Sequence, residues 1–179
     1  MSQVSVRNTA SARDDRRWIE SVYRDYLADL APQATGVFPA LGEVGHREPD
    51  QLSRWFADRN SQVLTILYGE APVGFAMVRR RAQGAGERVA GERVSDPAEF
   101  FMAEFFISRS WRRRGIGAQA VRLLFDRFAG QWLIIEHERN QGAVTFWRGV
   151  VATYTRGNYR EQRVNGEVQQ RFESGPRRR

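Results

Sequence analysis

The stretch Glu104-Phe-Phe-Ile-Ser-Arg-Ser-Trp-Arg-Arg-Arg-Gly-Ile-Gly-Ala118 joins an aromatic, apolar segment to a turn rich in arginine and glycine. The apolar composition of residues 99–108 predicts a buried strand, and the apolar spacing after Gly117 predicts a helix that ends at Ala129. The first turn of such a helix has unpaired N–H groups and the positive end of the helix dipole. Glycines at 115 and 117 permit close approach to the backbone, so the unit suits a pyrophosphate. A glycine-containing turn with solvated arginines is an equally simple interpretation.

Two other phosphate motifs do not fit this turn. A Walker loop requires a lysine, and every one of the 28 basic residues of the chain is arginine. The dinucleotide-binding Gly-x-Gly-x-x-Gly pattern is incomplete, because Ala120 occupies its third glycine position and no first strand of that fold precedes it. The turn is therefore a candidate anion site of another kind.

Residue patterns on both sides of this unit predict one domain over residues 1–174 and a basic tail over residues 175–179. The expected strands cover residues 4–7, 63–68, 73–80, 99–108, 132–138, 154–163 and 167–172. The expected helices begin at Ser11 and Pro49, follow Gly117, and cover residues 143–151. The order β-α-α-β-β-β-α-β-α-β-β predicts an α/β (α+β) fold with a mixed, mostly antiparallel sheet flanked by helices.

Apolar residues at helical spacing predict which side chains face the core. They are Trp18, Val22, Tyr26 and Leu30 in the first helix, Leu52, Trp55 and Phe56 in the second, and Ile116, Ala120, Leu123, Leu124 and Phe128 in the third. Asn165-Gly166 is the strongest hairpin signal. Residues 32–45 are expected to be a loop, and residues 82–97 an extended hairpin or a mobile loop.

Composition excludes several classes of protein. The hydrophobic share of 41% and the aromatic share of 12% are globular values, and no apolar run approaches the roughly 18 residues of a membrane helix. The absence of cysteine excludes disulfides and thiolate sites, and two histidines make a metal site improbable, so we expect no metal and a cytoplasmic protein. The net charge of +7 lies partly in Arg177–Arg179, which favours a soluble basic protein over a nucleic-acid or membrane partner.

The run Arg112-Arg-Arg-Gly115-Ile-Gly117-Ala118 resembles the Arg/Gln-x-x-Gly-x-Gly/Ala signature of the GNAT superfamily of N-acetyltransferases. Asn140, Ala143 and Phe146 match the family's Asn-x-x-Ala-x-x-apolar spacing after the fifth strand. The C-terminal portion, with Phe146-Trp-Arg148 and Tyr154-Thr-Arg-Gly-Asn158, is similar to a subgroup of bacterial predicted acetyltransferases. The resemblance covers nearly the whole chain and specifies the superfamily rather than a substrate.

The resemblance implies a site for acetyl-CoA. Backbone N–H groups of residues 113–118 would hold the pyrophosphate, and the strand backbone at residues 106–107 would pair with the pantetheine arm. A bulge at residues 106–107 would free an N–H to polarise the thioester carbonyl. The cofactor-binding residues that it implies are Phe106, Ile107, Arg112, Arg113, Arg114, Gly115, Ile116, Gly117, Ala118, Asn140, Phe146 and Trp147.

The resemblance also implies catalytic roles. Glu104 lies eleven residues before Gly115, where many relatives carry a general base, and an ion pair with an arginine is its alternative. Trp147 occupies the position where many relatives carry a tyrosine that acts as the general acid. The leaving thiolate would therefore be protonated by Tyr154 or Tyr159 from the next strand, or by solvent. Glu136 and Glu138 share one face of a strand and would meet either a cationic amine or arginine side chains.

Two functions follow from this resemblance. The first is an acetyl-CoA-dependent N-acetyltransferase that transfers acetyl directly to an amine of a small molecule or peptide. The second is a catalytically weak acyl-CoA-binding or sensor module, which Trp147 at the acid position favours. A homodimer is expected from the resemblance as well.

Overall fold

The computed structural model describes residues 3–30, 50–81 and 98–175, together with the backbone of four two-residue strands between them. The strands are β1 (Val4–Asn8), β2 (Val37–Phe38), β3 (Glu43–Val44), β4 (Ser61–Tyr68), β5 (Ala71–Arg80), β6 (Arg88–Val89), β7 (Glu92–Arg93), β8 (Phe100–Ile107), β9 (Gly130–His137), β10 (Arg160–Val164) and β11 (Glu167–Ser174). The helices are α1 (Arg13–Leu30), α2 (Asp50–Ala57), α3 (Ile116–Arg127) and α4 (Gln141–Thr155).

Seven strands form one sheet in the order β1-β4-β5-β8-β9-β11-β10. Every neighbouring pair is antiparallel except β8 and β9, which are parallel and are connected through α3. With the two-residue pairs β2–β3 and β6–β7 left aside, the predicted order of elements and the predicted fold class are confirmed.

Helices cover both faces of the sheet, and this explains the near-continuous burial along β4 and β5. On one face, α3 and α4 pack on an apolar cluster that includes Leu64, Val78 and Trp132. On the other face, α1 and α2 pack on a smaller cluster centred on Phe75 and Phe106.

Helix α1 presents Ile19, Tyr23 and Tyr26 to this second core at the spacing of one helix face. The predicted stripe of α1 is confirmed at Tyr26, whereas its other members lie at the margin of the core and are partly buried. In α3, Leu123 is 38% exposed and its predicted burial is wrong, because the buried stripe passes through Val121 and Phe125 instead.

Two predicted helix ends are also wrong. Ser11 belongs to a 3-10 turn, so α1 begins at Arg13. Helix α4 continues to Thr155, where the left-handed residues Arg156 (φ 56°) and Gly157 (φ 81°) end it, so Tyr154 is helical rather than part of a strand. The hairpin at residues 165–166 is confirmed, since both residues have positive φ as a type I′ turn requires.

Most of the predicted loops lie outside the described residues. Within residues 82–97, Arg88–Val89 pairs antiparallel with Glu92–Arg93, as an extended hairpin would. Pro49, most of residues 32–45 and the tail beyond Gly175 lie outside the described part of the chain. Among the helices that the structure describes, none has the length and apolarity needed to cross a bilayer.

Gly74 fixes how closely β5 and β8 approach, because it lies opposite Ile107. A Cβ at this position would lie 2.3 Å from the Phe106 carbonyl oxygen and 2.7 Å from Ile107 Cδ1. We predict that Gly74→Ala lowers the free energy of unfolding in urea by roughly 1–3 kcal/mol, as overpacking does.

Gly149 on α4 provides the control, because a Cβ there meets nothing within 4 Å. Gly149→Ala should raise the free energy of unfolding by up to about 1 kcal/mol through helix propensity. Equal urea midpoints for Gly74→Ala and the wild type would contradict the close approach of the two strands.

Candidate functional site

The sheet opens between β8 and β9. Their parallel pairing covers only Phe100 with Trp132 and Phe101 with Leu133. Beyond these pairs lies a pocket of about 780 Å³. It is lined by Tyr26, Asp29, Leu30, Phe105, Phe106, Ile107, Arg112, Arg113, Gly115, Gly117, Ala118, Asn140, Gly142, Ala143, Phe146 and Trp147. The opening thus lies between a strand edge and the first turns of two helices.

A bulge in β8 sets which side chains face each side of the sheet. Met77 pairs with Glu104 but the next residue, Val78, pairs with Met102, so Ala103 is the extra residue. Glu104 and Phe106 face α1 by regular alternation, and the bulge lets Ala103 pack on the same α1–α2 core. The predicted bulge at residues 106–107 is wrong, because both residues keep regular pairing with β5.

Two residues of the turn before α3 have positive φ angles. Arg113 (φ 62°) and Gly115 (φ 75°) adopt left-handed conformations, and α3 begins directly afterwards at Ile116. The first N–H groups of α3 have no carbonyl partner one turn earlier in the helix. A Cβ at Gly117 would lie 3.3 Å from Phe146 Cε2, so glycine keeps this wall of the pocket open. These features favour an anion at the start of α3.

The three consecutive arginines have different environments. Arg112 donates from Nε to the Ile107 carbonyl oxygen (2.6 Å) and forms an ion pair with Asp29. Arg113 is exposed and lines the pocket. Arg114 lies over the Trp111 ring, 5.2 Å from its centroid, and is not among the lining residues.

Ile116 does not line the pocket either, since its side chain is buried in the core beneath α3. All other residues implied as cofactor-binding do line it, so the structure brings that set together around one cavity. Their roles stay predictions.

Three residues of α1 line the pocket: Tyr26, Asp29 and Leu30. Asp29, which was not predicted, accepts hydrogen bonds from Arg109 (2.8 Å) and from Arg112. Burial opposes ionisation of Asp29, but the two guanidinium groups outweigh it and lower the pKa of the carboxyl. Tyr26 and Leu30 were predicted as core residues, and both also line the pocket. The i,i+3 spacing of Tyr26 and Asp29 places both residues on one face of α1, and this was the signal available in the sequence. The spacing does not show which cavity that face borders.

Glu104 lies behind the pocket wall. Its side chain is only 4% exposed, and its Oε2 accepts a hydrogen bond from the Tyr26 hydroxyl. Burial raises the pKa of Glu104 well above its ordinary value. Glu104 itself is not among the lining residues, whereas its partner Tyr26 is. A carboxylate with a high proton affinity therefore lies one hydrogen bond from the cavity.

The structure argues against Tyr154 as the general acid. It lies in the last turn of α4 and is not among the residues that line the pocket. Its hydroxyl donates to Asp126 Oδ1 (2.8 Å), and its ring packs against Phe125. Burial and Asp126 raise the pKa of Tyr154. Tyr159 packs at the edge of the α3–α4 core and does not line the pocket either.

Trp147, by contrast, lies in the pocket wall. Its ring makes an edge contact with Phe105 at 5.3 Å between centroids. An indole N–H does not ionise near neutral pH. The pocket wall thus has an aromatic surface where many relatives are expected to have an acid.

Glu136 is buried beneath α4 rather than in the pocket. Among the described residues, neither carboxylate oxygen has a hydrogen-bond partner, because Arg148 pairs with Glu161 instead (2.5 Å). Burial, and then the charge of Glu161, raise the pKa of Glu136 to about 8, while Arg148 opposes the shift. Glu138 is partly buried and also does not line the pocket, so neither carboxylate is placed to meet a substrate there.

This burial predicts a pH-dependent stability. The folded protein holds the Glu136 proton up to about pH 8, whereas an unfolded glutamate releases it near pH 4.5. Stability is therefore lost as pH rises between these values, by at most roughly 5 kcal/mol. We predict that Glu136→Gln unfolds at the same urea concentration as the wild type at pH 4. From pH 5 to about pH 8 the variant should unfold at increasingly higher concentrations than the wild type, and above that pH the difference should level off.

The difference between variant and wild type isolates Glu136 from the other titrating groups. Gly149→Ala, which changes no ionisable group, serves as the control and should differ from the wild type by the same amount at every pH. A Glu136→Gln curve parallel to the wild type at every pH would show that the carboxylate is solvated.

Comparisons with known proteins agree with this geometry. The model of the acetyltransferase (GNAT) family matches residues 19–150. An acetyltransferase of the GNAT family from Streptococcus agalactiae has a similar structure, with a TM-score of 0.64, 12% identity, and coverage of 99% of both chains. No curated protein matches the sequence.

Two further solved structures share the fold. The ribosomal-protein-alanine N-acetyltransferase from Brucella melitensis has a TM-score of 0.59 at 13% identity, with 94% of this chain and 99% of that chain covered. The PaiA N-acetyltransferase from Thermoplasma acidophilum, in complex with coenzyme A, has a TM-score of 0.59 at 8% identity, with 96% and 99% covered.

The family uses acetyl-CoA, and one of these neighbours was crystallised with coenzyme A. At such identities the structural likeness shows the fold alone, whereas the family model spans most of the chain. This protein belongs to the GNAT family of acetyltransferases.

Proposed function

We propose that this protein is an acetyl-CoA-dependent N-acetyltransferase that transfers acetyl directly to an amine of a small molecule or peptide. One observation carries the proposal: the pocket joins the N-terminus of α3 to the open edge of β8, with the Tyr26–Glu104 pair at its wall. A direct transfer suits a chain without cysteine, which has no thiol to form an acyl-enzyme.

The residues present fit acetyl-CoA. The N–H groups at the start of α3 and the exposed Arg113 suit the pyrophosphate, and the glycines keep the backbone accessible. The space beside residues 105–107 suits an extended arm, because the β8–β9 ladder ends at Phe101. When bound, acetyl-CoA supplies an acetyl group activated as a thioester.

The protein's own groups are proposed to act on the acyl oxygen and on the acceptor amine. In regular pairing with β5, alternate N–H groups of β8 point away from β5 toward the open edge, so one of those at Phe106 and Ile107 would donate a hydrogen bond to the acyl oxygen. Glu104 receives the proton of the acceptor, because an ammonium cannot attack a carbonyl. Burial that raises the pKa of Glu104 makes its carboxylate a stronger base. With Trp147 in the pocket wall, the leaving sulfur is protonated by solvent.

A catalytically weak acyl-CoA-binding module is the second candidate. It is favoured by Trp147, which offers no acidic proton at the pocket wall. Such a module would bind coenzyme A tightly and release no thiol with any amine. Cytoplasmic location and a homodimer, both expected from the sequence, are predictions that fractionation and light scattering would check.

The base assignment is tested with Glu104→Gln. We expect thiol release from acetyl-CoA, measured over a panel of alkyl amines and peptides, to fall about 100-fold or more at pH 7. Coenzyme A binding, measured by calorimetry, should be unchanged, because Glu104 does not line the pocket. Identical pH–rate profiles for variant and wild type would remove Glu104 from the mechanism.

The cofactor site is tested with Gly117→Ala. The new Cβ would press on Phe146 (3.3 Å) and Ile107 (3.6 Å) and narrow the pocket at the start of α3. We expect coenzyme A to bind about tenfold more weakly, which corresponds to roughly 1.4 kcal/mol. Gly149→Ala on the exposed side of α4 should bind with the wild-type affinity, and equal affinities for both variants would place the cofactor elsewhere.

A further inference from the structure

We propose that the hydroxyl of Tyr26 relays the proton of the acceptor amine from the pocket to Glu104. The inference rests on the proposed N-acetyltransferase function and deepens it, because it names the path of the proton and the class of amine that needs it.

Tyr26 lines the pocket and hydrogen-bonds to Glu104. Its Oη donates to Glu104 Oε2, and Glu104 is 4% exposed and outside the set of lining residues. Phe105 and Phe106, which follow Glu104 in the chain and line the pocket, have no group that transfers a proton. The phenol therefore provides a polar connection between the pocket wall and the buried carboxylate.

The ring of Tyr26 is held in place by aromatic neighbours. Trp55, Phe75 and Phe106 make edge contacts with it at centroid distances of 6.1, 5.3 and 5.8 Å. This apolar enclosure excludes water from the Tyr26–Glu104 hydrogen bond and strengthens it. Strand alternation places Glu104 on the same face of β8 as Phe106, which is the face that α1 covers.

The proposed step moves two protons and leaves the tyrosine unchanged. An alkylammonium donates a hydrogen bond to Tyr26 Oη, which accepts through a lone pair. The ammonium N–H bond breaks, its electron pair stays on nitrogen, and the proton bonds to Oη. The original Oη–H bond breaks at the same time, and that proton bonds to Glu104 Oε2. The products are a neutral amine, a neutral Glu104 carboxyl and an intact phenol.

After transfer, the proton on Glu104 returns by the reverse path to water in the pocket. The second proton, which the nitrogen loses as the amide forms and the C–S bond breaks, goes to solvent, and solvent protonates the leaving thiolate. This path matters only for acceptors that are protonated at neutral pH, which are alkyl amines. Weakly basic amines such as aryl amines are already neutral and need no relay. The other described titratable groups near the relay are Tyr23 on the same helix and Asp29, which Arg109 and Arg112 keep ionised.

The test compares Tyr26→Phe with Tyr23→Phe, which removes a hydroxyl from the same aromatic cluster one turn earlier on α1. We expect Tyr26→Phe to lower kcat for an alkyl amine at least 100-fold at pH 7. The loss should shrink as pH approaches the pKa of the amine and should be within threefold for an aryl amine. Tyr23→Phe should stay within threefold of the wild type throughout, and adding Glu104→Gln to Tyr26→Phe should cause no further loss.

A second measurement needs no cofactor. Titration of the Glu104 side-chain carboxyl by carbon NMR should show a higher pKa in Tyr26→Phe, since the phenol donates to the carboxylate. The relay is overturned if this pKa does not move, if the alkyl-amine rate survives, or if Tyr26→Phe loses activity equally for every amine and pH. A wild type that binds coenzyme A but acetylates no amine overturns the proposed function and the relay with it, while a moved pKa would still establish the hydrogen bond.

Discussion

The short parallel ladder between β8 and β9 is the constraint on which the site depends. The ladder has two residue pairs, Phe100 with Trp132 and Phe101 with Leu133. These pairs join the antiparallel half β1-β4-β5-β8 of the sheet to the half β9-β11-β10. Because pairing stops there, the sheet leaves a strand edge available inside the protein without exposing it as an outer edge. The pocket, the start of α3 and the start of α4 all border this gap.

The aromatic residues around the gap pack on opposite faces of the sheet. Phe105 packs with Phe146 and Trp147 on the α4 side, whereas Phe106 packs with Tyr26 on the α1 side. Successive residues of β8 therefore contribute to opposite walls, as strand alternation requires. The same alternation places Glu104, two residues before Phe106, on the Tyr26 side, and the bulge adds its neighbour Ala103 to that side.

Local patterns predicted most of the fold and several residues at the start of α3 that line the pocket. The order of elements and the hairpin at residues 165–166 follow from short-range periodicity and turn chemistry. The position of the bulge does not, because it depends on how β5 and β8 align. The partners of Glu104 and Arg112 were also beyond reach, since Tyr26 and Asp29 lie about 80 residues earlier in the chain.

Tyr26 belongs at once to the core beneath α1 and to the wall of the pocket. The side chains that hold its ring, such as Trp55 and Phe75, never touch the cavity but fix the angle of a group that does. Under the proposed relay, sequence drift in this core is therefore not neutral for activity, even where volume and hydrophobicity are conserved. Homologues that alter Trp55 should then change Tyr26 in concert, so that these positions evolve as one unit rather than as separate packing and functional sites.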